Sequence, residues 1–280
     1  MPELPDLLYI QKYLQREVVG RSITNITIRE PIVLRVTVDD TFQNVLTGKT
    51  IRSITLHGPF ITLGLSDSYD LVMNLVLMGK LQHQRAKEKS LGHLCFSLEL
   101  DDASRVNFCD DQKMAKAYVV RHGEYGRIPR YNQQGTDILS PAFTLGTFRE
   151  LAKRHSRKQV RVFINDHTIM SAIGNAYADE ILFEARIHPK PFVARLSPDE
   201  IQRLHQSILT TMKWGIEKVE LAHEPIHVKV RDHMRVRNRK GQPCPRCSTT
   251  IRREGVHGHD VFFCPSCQPA SRKLFIDWKS

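Results

Sequence analysis

The spacing of apolar and polar positions along the chain changes twice. After a polar opening, Leu7, Leu8, Ile10, Tyr13 and Leu14 recur at helical spacing, with Pro5 and Asp6 suited to a first turn and Gly20 beyond the last. From about residue 22 to 120 the period shortens. The stretches "SITNITIRE", "IRSITLHGPFITLGL", "LVMNLVLMGKLQHQ", "HLCFSLEL", "RVNFCD" and "KAYVVRH" alternate or run apolar between Asp, Gly and Ser, which predicts an all-β domain behind one helix. Polar residues, glycine and proline interrupt the pattern over 126–140, as in a linker. Helical spacing returns in "FTLGTFRELAKRH", "IMSAIGNAYADEILFEA" and "SPDEIQRLHQSILTTMKWGIEKVE", the last opened by a Ser197–Glu200 capping box. The basic stretch 223–243 has no clean period and reads as a loop that orders on an acidic partner. The expected class is α+β, in four segments: 1–125, a linker at 126–140, 141–240 and 241–280.

Composition narrows the partner. The chain has 280 residues and is 41% hydrophobic, enough for a sizeable core and, by length, for two domains. Lys and Arg number 41 against 30 Asp and Glu, a net charge of +11 that suits a polyanion, nucleic acid before a membrane surface. The plain alternative is a basic soluble protein without such a partner. No apolar run approaches the roughly 18–20 residues that span a bilayer, and no basic flank precedes an apolar stretch at the start. An intracellular protein without a membrane partner is the expectation.

The cysteines carry the most specific local signal. Cys95 and Cys109 stand alone in strand-like segments and read as buried thiols. Cys244 and Cys247 form one C-x-x-C pair and Cys264 and Cys267 another, with sixteen residues between the pairs. Two such knuckles supply four thiolates, a complete tetrahedral shell for one structural Zn²⁺ with no position left for water. An iron centre or a redox pair is the alternative. Between the knuckles, "STTIRREGVHGHDVFF" predicts a β-hairpin clamped at its base, with His257, His259 and Asp260 at its tip. Arg252 and Arg253 lie nearby as contacts to phosphate or groove.

Two further places have two readings each. In "SAIGNAYADEILF", Gly174 permits a bend, and Asn175 either caps the following helix or joins its backbone amides in binding a phosphate. At the opening "MPELP", Pro2 and Glu3 suit the first turn of a helix, and a proline nitrogen freed by removal of Met1 would be a secondary amine.

"MPELP", "IGNAYADEILFEARIHP" (173–189) and the zinc hairpin ending "FFCPSCQ", in this order, resemble the formamidopyrimidine-DNA glycosylase and endonuclease VIII family of base-excision repair enzymes over essentially the whole chain. The resemblance implies a helix-flanked N-terminal β-sandwich and a C-terminal helix–two-turn–helix domain with a four-cysteine zinc-finger β-hairpin. It implies a monomer acting on double-stranded DNA with damaged bases or abasic sites, held in a cleft between the two domains. It gives Pro2 the role of nucleophile once Met1 is removed, and Glu3 that of the acid that protonates the sugar and shuttles protons. Asn175 matches the family's phosphate-binding asparagine, and residues around 218–240 match its lesion-capping loop.

This sequence departs from the family at functional positions. Pro59 stands where a lysine is usual, with Lys80 and His57 nearby in sequence. Leu77, with Met78 beside it, takes the place of the intercalating methionine. Gln112 and Met114 take those of an arginine that pairs with the orphaned base and of a phenylalanine. His259 replaces the hairpin arginine, leaving Arg252, Arg253 or Arg239 to meet the flanking phosphates. The expected function is therefore a DNA glycosylase with β- or β/δ-elimination lyase activity through a Schiff base, and with atypical lesion and opposite-base preference. The alternatives are a protein that binds damaged or abasic DNA with lyase activity only or none, and a transcription regulator, which would have no need of a free N-terminal proline.

Overall fold

The computed structural model describes residues 1–270, so the last ten residues of the 241–280 segment lie outside the described residues. The described residues form two compact units: Met1–Gln133 with Val219–Val230, and Gln134–Lys218 with the described residues from Arg231.

In the first unit, helix α1 (Leu4–Glu17) starts where Glu3 and Asp6 form a reciprocal capping box, the Glu3 amide donating to Asp6 Oδ2 at 2.8 Å. Pro5 costs nothing in this first turn, where amides lack helical partners anyway. Leu7, Ile10 and Leu14 share its buried face. The strands are β1 (Ile23–Ile28), β2 (Leu34–Val36), β3 (Ile51–His57), β4 (Phe60–Leu65), β5 (Tyr69–Asn74), β6 (Lys80–Gln84), β7 (Leu94–Leu100), β8 (Arg105–Cys109) and β9 (Lys116–Arg121), with a short helix α2 (Phe42–Leu46) before β3. They make a β-sandwich of two sheets, ordered β1-β7-β8-β6 and β2-β9-β5-β4-β3. All pairings are antiparallel except β2 with β9. Leu63, Leu71, Val119, Leu98, Val106 and Phe108 are buried at 1% exposure or less.

Strand β3 is an edge, and α1 covers it with polar atoms. Gln11 Nε2 donates to the Ile54 carbonyl at 3.0 Å, and the Ile54 amide donates to Gln15 Oε1 at 3.1 Å. The two glutamines, four apart, lie on one face of the helix.

In the second unit, α3 (Leu145–Arg154) and α4 (Val160–Ile164) precede α5 (Asn175–Ala185) and the long α6 (Pro198–Ala222). The Ser197–Glu200 capping box at the start of α6 is present, with bonds of 2.8 and 3.2 Å. A β-carbon on Gly215 would lie 2.3 Å from the Tyr177 ring, so α6 approaches α5 where one of them has no side chain. The last strands of the described residues form the hairpin β10 (Arg252–Val256) and β11 (His259–Phe263). Its two-residue turn is His257–Gly258, both with positive φ (47° and 76°). Phe183, Val236, Cys244, Ile251, Phe262 and Cys264 form one buried cluster beneath it. Among the described residues no helix is long and apolar enough to cross a membrane.

Candidate functional site

In the first unit two candidates open the chain at the start of α1. Pro2 is buried, and Glu3 is 4% exposed at the N-cap. The amino group of Met1 donates to the Leu77 carbonyl at 3.0 Å. The opening of the chain therefore lies against the turn between β5 and β6, where the wedge candidates Leu77 and Met78 stand 51% and 38% exposed.

That turn is tightly drawn. Val76 has φ 45°, a left-handed conformation that a β-branched residue adopts at a cost of about 1–3 kcal/mol. Its amide is held by Asn74 Oδ1 at 3.1 Å, and the Gly79 amide returns to the Leu75 carbonyl at 2.9 Å. A second turn carries Gln112 and Met114, both exposed, the latter at 46%. Asp110, buried, shapes it by accepting from the Gln112 amide at 3.0 Å and the Ala115 amide at 2.7 Å. A β-carbon at Gly79 would be 2.8 Å from that of Ala115, so the two turns touch, and Leu77, Gln112 and Met114 share one end of the sandwich.

Pro59 sits in the two-residue turn between β3 and β4, after Gly58 at φ 54°. A glycine in the left-handed region followed by a residue of fixed negative φ suits such a turn, so proline here serves the backbone. His57 is engaged with the linker, its ring stacked on Tyr131 at 4.4 Å and its Nε2 2.8 Å from the Tyr131 carbonyl. Lys80 is exposed at the start of β6, and its charge helps hold the His227 imidazole below its ordinary range, after burial. Lys229, from the segment 219–230, donates to the Leu77 carbonyl at 3.0 Å. Cys95 and Cys109 are buried free thiols, and burial pushes the Cys109 thiol up to about 11, which removes it as a nucleophile.

In the second unit Asn175 begins α5. Its Oδ1 accepts from Arg161 at 3.0 Å and from Asn165 Nδ2 at 3.1 Å, and Arg161 also reaches the Asn175 carbonyl at 3.3 Å. Its oxygen is thus committed to the fold, and the side chain's other polar group is an amide nitrogen, a donor, at the start of the helix. Arg161 is itself buried, paired with Asp179 at 3.0 Å. Asp179 Oδ2 also takes Arg237 at 2.8 Å and the Phe262 amide of the hairpin at 3.3 Å. Burial still pushes the Asp179 carboxyl up to about 6, the two guanidiniums opposing it. Glu180, equally buried, accepts the amides of Arg235, Val236 and Arg237 on one oxygen, at 3.0, 2.8 and 3.0 Å. Arg161, Asp179, Glu180, Arg235 and Arg237 are not among the sequence candidates. The signal for them is an adjacent acid pair in a helix whose residues, Asn175 and Glu184 apart, are otherwise apolar or aromatic.

The four zinc candidates converge. The Sγ atoms of Cys244, Cys247, Cys264 and Cys267 all lie within 4.8 Å of one another, with approaches of 3.4 Å (Cys247 to Cys264 and to Cys267) and 3.9 Å (Cys244 to Cys267). Four thiolates at about 2.3 Å from a tetrahedral zinc stand about 3.8 Å apart, so the donor set fits one structural Zn²⁺ and excludes a water ligand. On the hairpin above, His259 and Arg252 are exposed, and Arg253 is paired with Asp260 at 2.7 Å. Arg239 donates within its own segment, to the carbonyls of Met234 and Asp232 and to Gln242.

Comparison with known proteins covers both units. Three family models match in order: the formamidopyrimidine-DNA glycosylase N-terminal domain over residues 1–117, the formamidopyrimidine-DNA glycosylase H2TH domain over 134–224, and the zinc finger found in FPG and IleRS over 241–270. The formamidopyrimidine-DNA glycosylase of Geobacillus kaustophilus is 31% identical over 275 residues, which cover 96% of this chain and 100% of that one. That of Symbiobacterium thermophilum is also 31% identical, covering 96% and 90%. The crystal structure of the MutM (Fpg) protein from Thermus thermophilus superposes with a TM-score of 0.82 at 27% identity, covering 96% of this chain and 100% of that one. A complex between the Lactococcus lactis Fpg and an abasic site containing DNA gives 0.83 at 25% identity with the same coverage. The chain belongs to the formamidopyrimidine-DNA glycosylase family.

Proposed function

We propose that this protein is a base-excision repair enzyme, a monomeric DNA glycosylase with lyase activity on abasic sites, acting on damaged duplex DNA in the cytoplasm. The observation that carries the reading is Pro2–Glu3 at the capped start of α1, against the turn that exposes Leu77 and Met78. Relatives that match 96% of the chain are named as DNA glycosylases, and solved neighbours are complexes with abasic or Fapy-dG DNA.

The chemistry follows from a free Pro2 nitrogen. While Met1 is attached that nitrogen is an amide, so reaction requires its removal. A terminal secondary amine with a pKa near 8 is partly unprotonated at neutral pH. Its lone pair attacks C1′ of the deoxyribose, and the damaged base leaves with the electrons of the glycosidic bond and takes up the proton that the nitrogen sheds. Glu3 protonates the ring oxygen, opening the sugar to an iminium. Loss of a C2′ proton then expels the 3′ phosphate by β-elimination, and δ-elimination can follow. Asn175 and the first amides of α5 receive a backbone phosphate, while Lys80, Arg252, Arg253, Arg239 and His259 supply further contacts. Leu77 and Met114 fill the space of the extruded base, and Gln112 offers an amide to the orphaned one, which shifts opposite-base preference.

Borohydride trapping on abasic and lesion-bearing duplexes tests this. A chain without Met1 is expected to form a covalent adduct mapped to Pro2, and an extension left on the N-terminus is expected to abolish it. Absence of any adduct would falsify the enzymatic reading. Pro59 and His259, which replace two cationic contacts, favour the second reading, a binder of abasic DNA. That reading is met by tight binding without an adduct.

A further inference from the structure

We propose that Lys229 is the positioning residue of the wedge, holding the Leu77 carbonyl so that Leu77 and Met78 stand ready to enter the duplex. This rests on the DNA-repair reading above. Leu75 is buried and Gly79 touches Ala115 at the two ends of the turn, but the large apolar side chains at its tip, Leu77 and Met78, are exposed, and Val76 at φ 45° pulls it toward other conformations. Packing fixes the ends, and the tip relies on polar anchors. Two lie inside the turn, at Asn74 Oδ1 and the Leu75 carbonyl. The Leu77 carbonyl is anchored from outside, by the Met1 amino group and by Lys229 Nζ, each at 3.0 Å. Removal of Met1, which the proposed chemistry requires, takes the first donor away, while Lys229 remains. An ammonium donating to a carbonyl is a stronger bond than an exchange between neutral groups.

Lys229 is well placed to hold still. Its segment is tied to α1 by Tyr9, whose hydroxyl donates to the Glu224 carbonyl at 2.9 Å, and by Lys12, paired with Glu220. Ile226 is buried between these ties and Lys229. The start of α1, the wedge and the segment 219–230 are therefore linked through one carbonyl, and the wedge is set in place from a part of the chain 152 residues away.

The test uses the full chain without Met1 and a duplex carrying a tetrahydrofuran abasic analogue with 2-aminopurine beside the gap, whose fluorescence rises when a wedge unstacks it. Lys229→Met is expected to lower the enhancement at saturating protein about tenfold. The thermal midpoint and the slope of log Kd against log salt should be unchanged, and Lys229→Arg should retain most of the signal. Three results would overturn the proposal: an unchanged enhancement in Lys229→Met, an equal loss in Lys229→Arg, or a defect seen only as weaker binding with the salt slope reduced by about one, the mark of a phosphate contact. A wild-type chain that gives no enhancement overturns it as well. The analogue cannot form a Schiff base, so failed trapping on abasic DNA and a failed wedge are read separately.

Discussion

Gly79 meets Ala115 so closely that a β-carbon on residue 79 would lie 2.8 Å from the alanine methyl and 2.5 Å from the Leu75 carbonyl oxygen. The second obstacle is backbone and cannot turn aside. Gly79→Ala is therefore expected to destabilise the chain by about 1–3 kcal/mol, as overpacking does, and to separate the turn bearing Leu77 from the one bearing Met114. Urea unfolding reads the first effect and 2-aminopurine fluorescence on abasic-analogue DNA the second. A variant with wild-type stability and signal would show that the two turns need not touch.

The Asp179–Arg161–Asn175 relay predicts a division between stability and binding. Asp179→Ala leaves two guanidiniums without their buried carboxylate and should cost about 3–5 kcal/mol. Asn175→Ala removes a partly buried amide whose role is proposed to be phosphate contact, so folding should change by about 1 kcal/mol while Kd for abasic-analogue DNA weakens about tenfold. Equal losses of stability in the two variants would contradict the division.

Zinc removal should act on more than four thiolates. Cys244 and Cys264 belong to the same buried cluster as Phe183, Val236, Ile251 and Phe262, so the metal and the apolar packing beneath the hairpin hold one another. A strong chelator, or Cys264→Ser, is expected to lower the thermal midpoint and abolish DNA binding, with one zinc released per chain by metal analysis. Retention of full DNA affinity after metal loss would refute this.

Burial pushes the His167 imidazole below its usual range of about 6.5. Its Nδ1 accepts the Ala172 amide at 3.2 Å, within the turn that leads to Asn175. Between the folded and unfolded pKa values the unfolded chain binds more protons, so this group's stabilisation is full above about 6.5 and is lost as pH falls toward the folded value. A plot of thermal midpoint against pH should be shallower on the acid side for His167→Gln than for wild type. Parallel curves would count against the assignment.

What can be read from the sequence is what its chemistry makes local. The C-x-x-C pairs, the Ser197–Glu200 box and the hairpin between the knuckles are each specified within a few residues, and each is found. Segment 223–243 reads in the sequence as a loop awaiting an acidic partner. Part of that partner is Glu180 of the same chain, which holds the amides of 235–237. The buried acids Asp179 and Glu180 signal that partners are needed, but no periodicity names Arg161, 18 residues from Asp179, Arg237, 58 residues from it, or the tie between Lys229 and Leu77 across 152. The end of the sandwich shared by Leu77, Gln112 and Met114 depends likewise on one glycine–alanine contact that no pattern of hydrophobicity encodes.

The glutamines of α1 have an effect beyond their own hydrogen bonds. An exposed edge strand invites a second chain to add to it, and for a basic protein crowded along DNA that invitation would be frequent. With Gln11 and Gln15 occupying the carbonyl and amide of Ile54, β3 has no continuous row of free backbone groups at its centre. The helix that carries the proposed nucleophile at one end also keeps neighbouring molecules from pairing along the centre of β3.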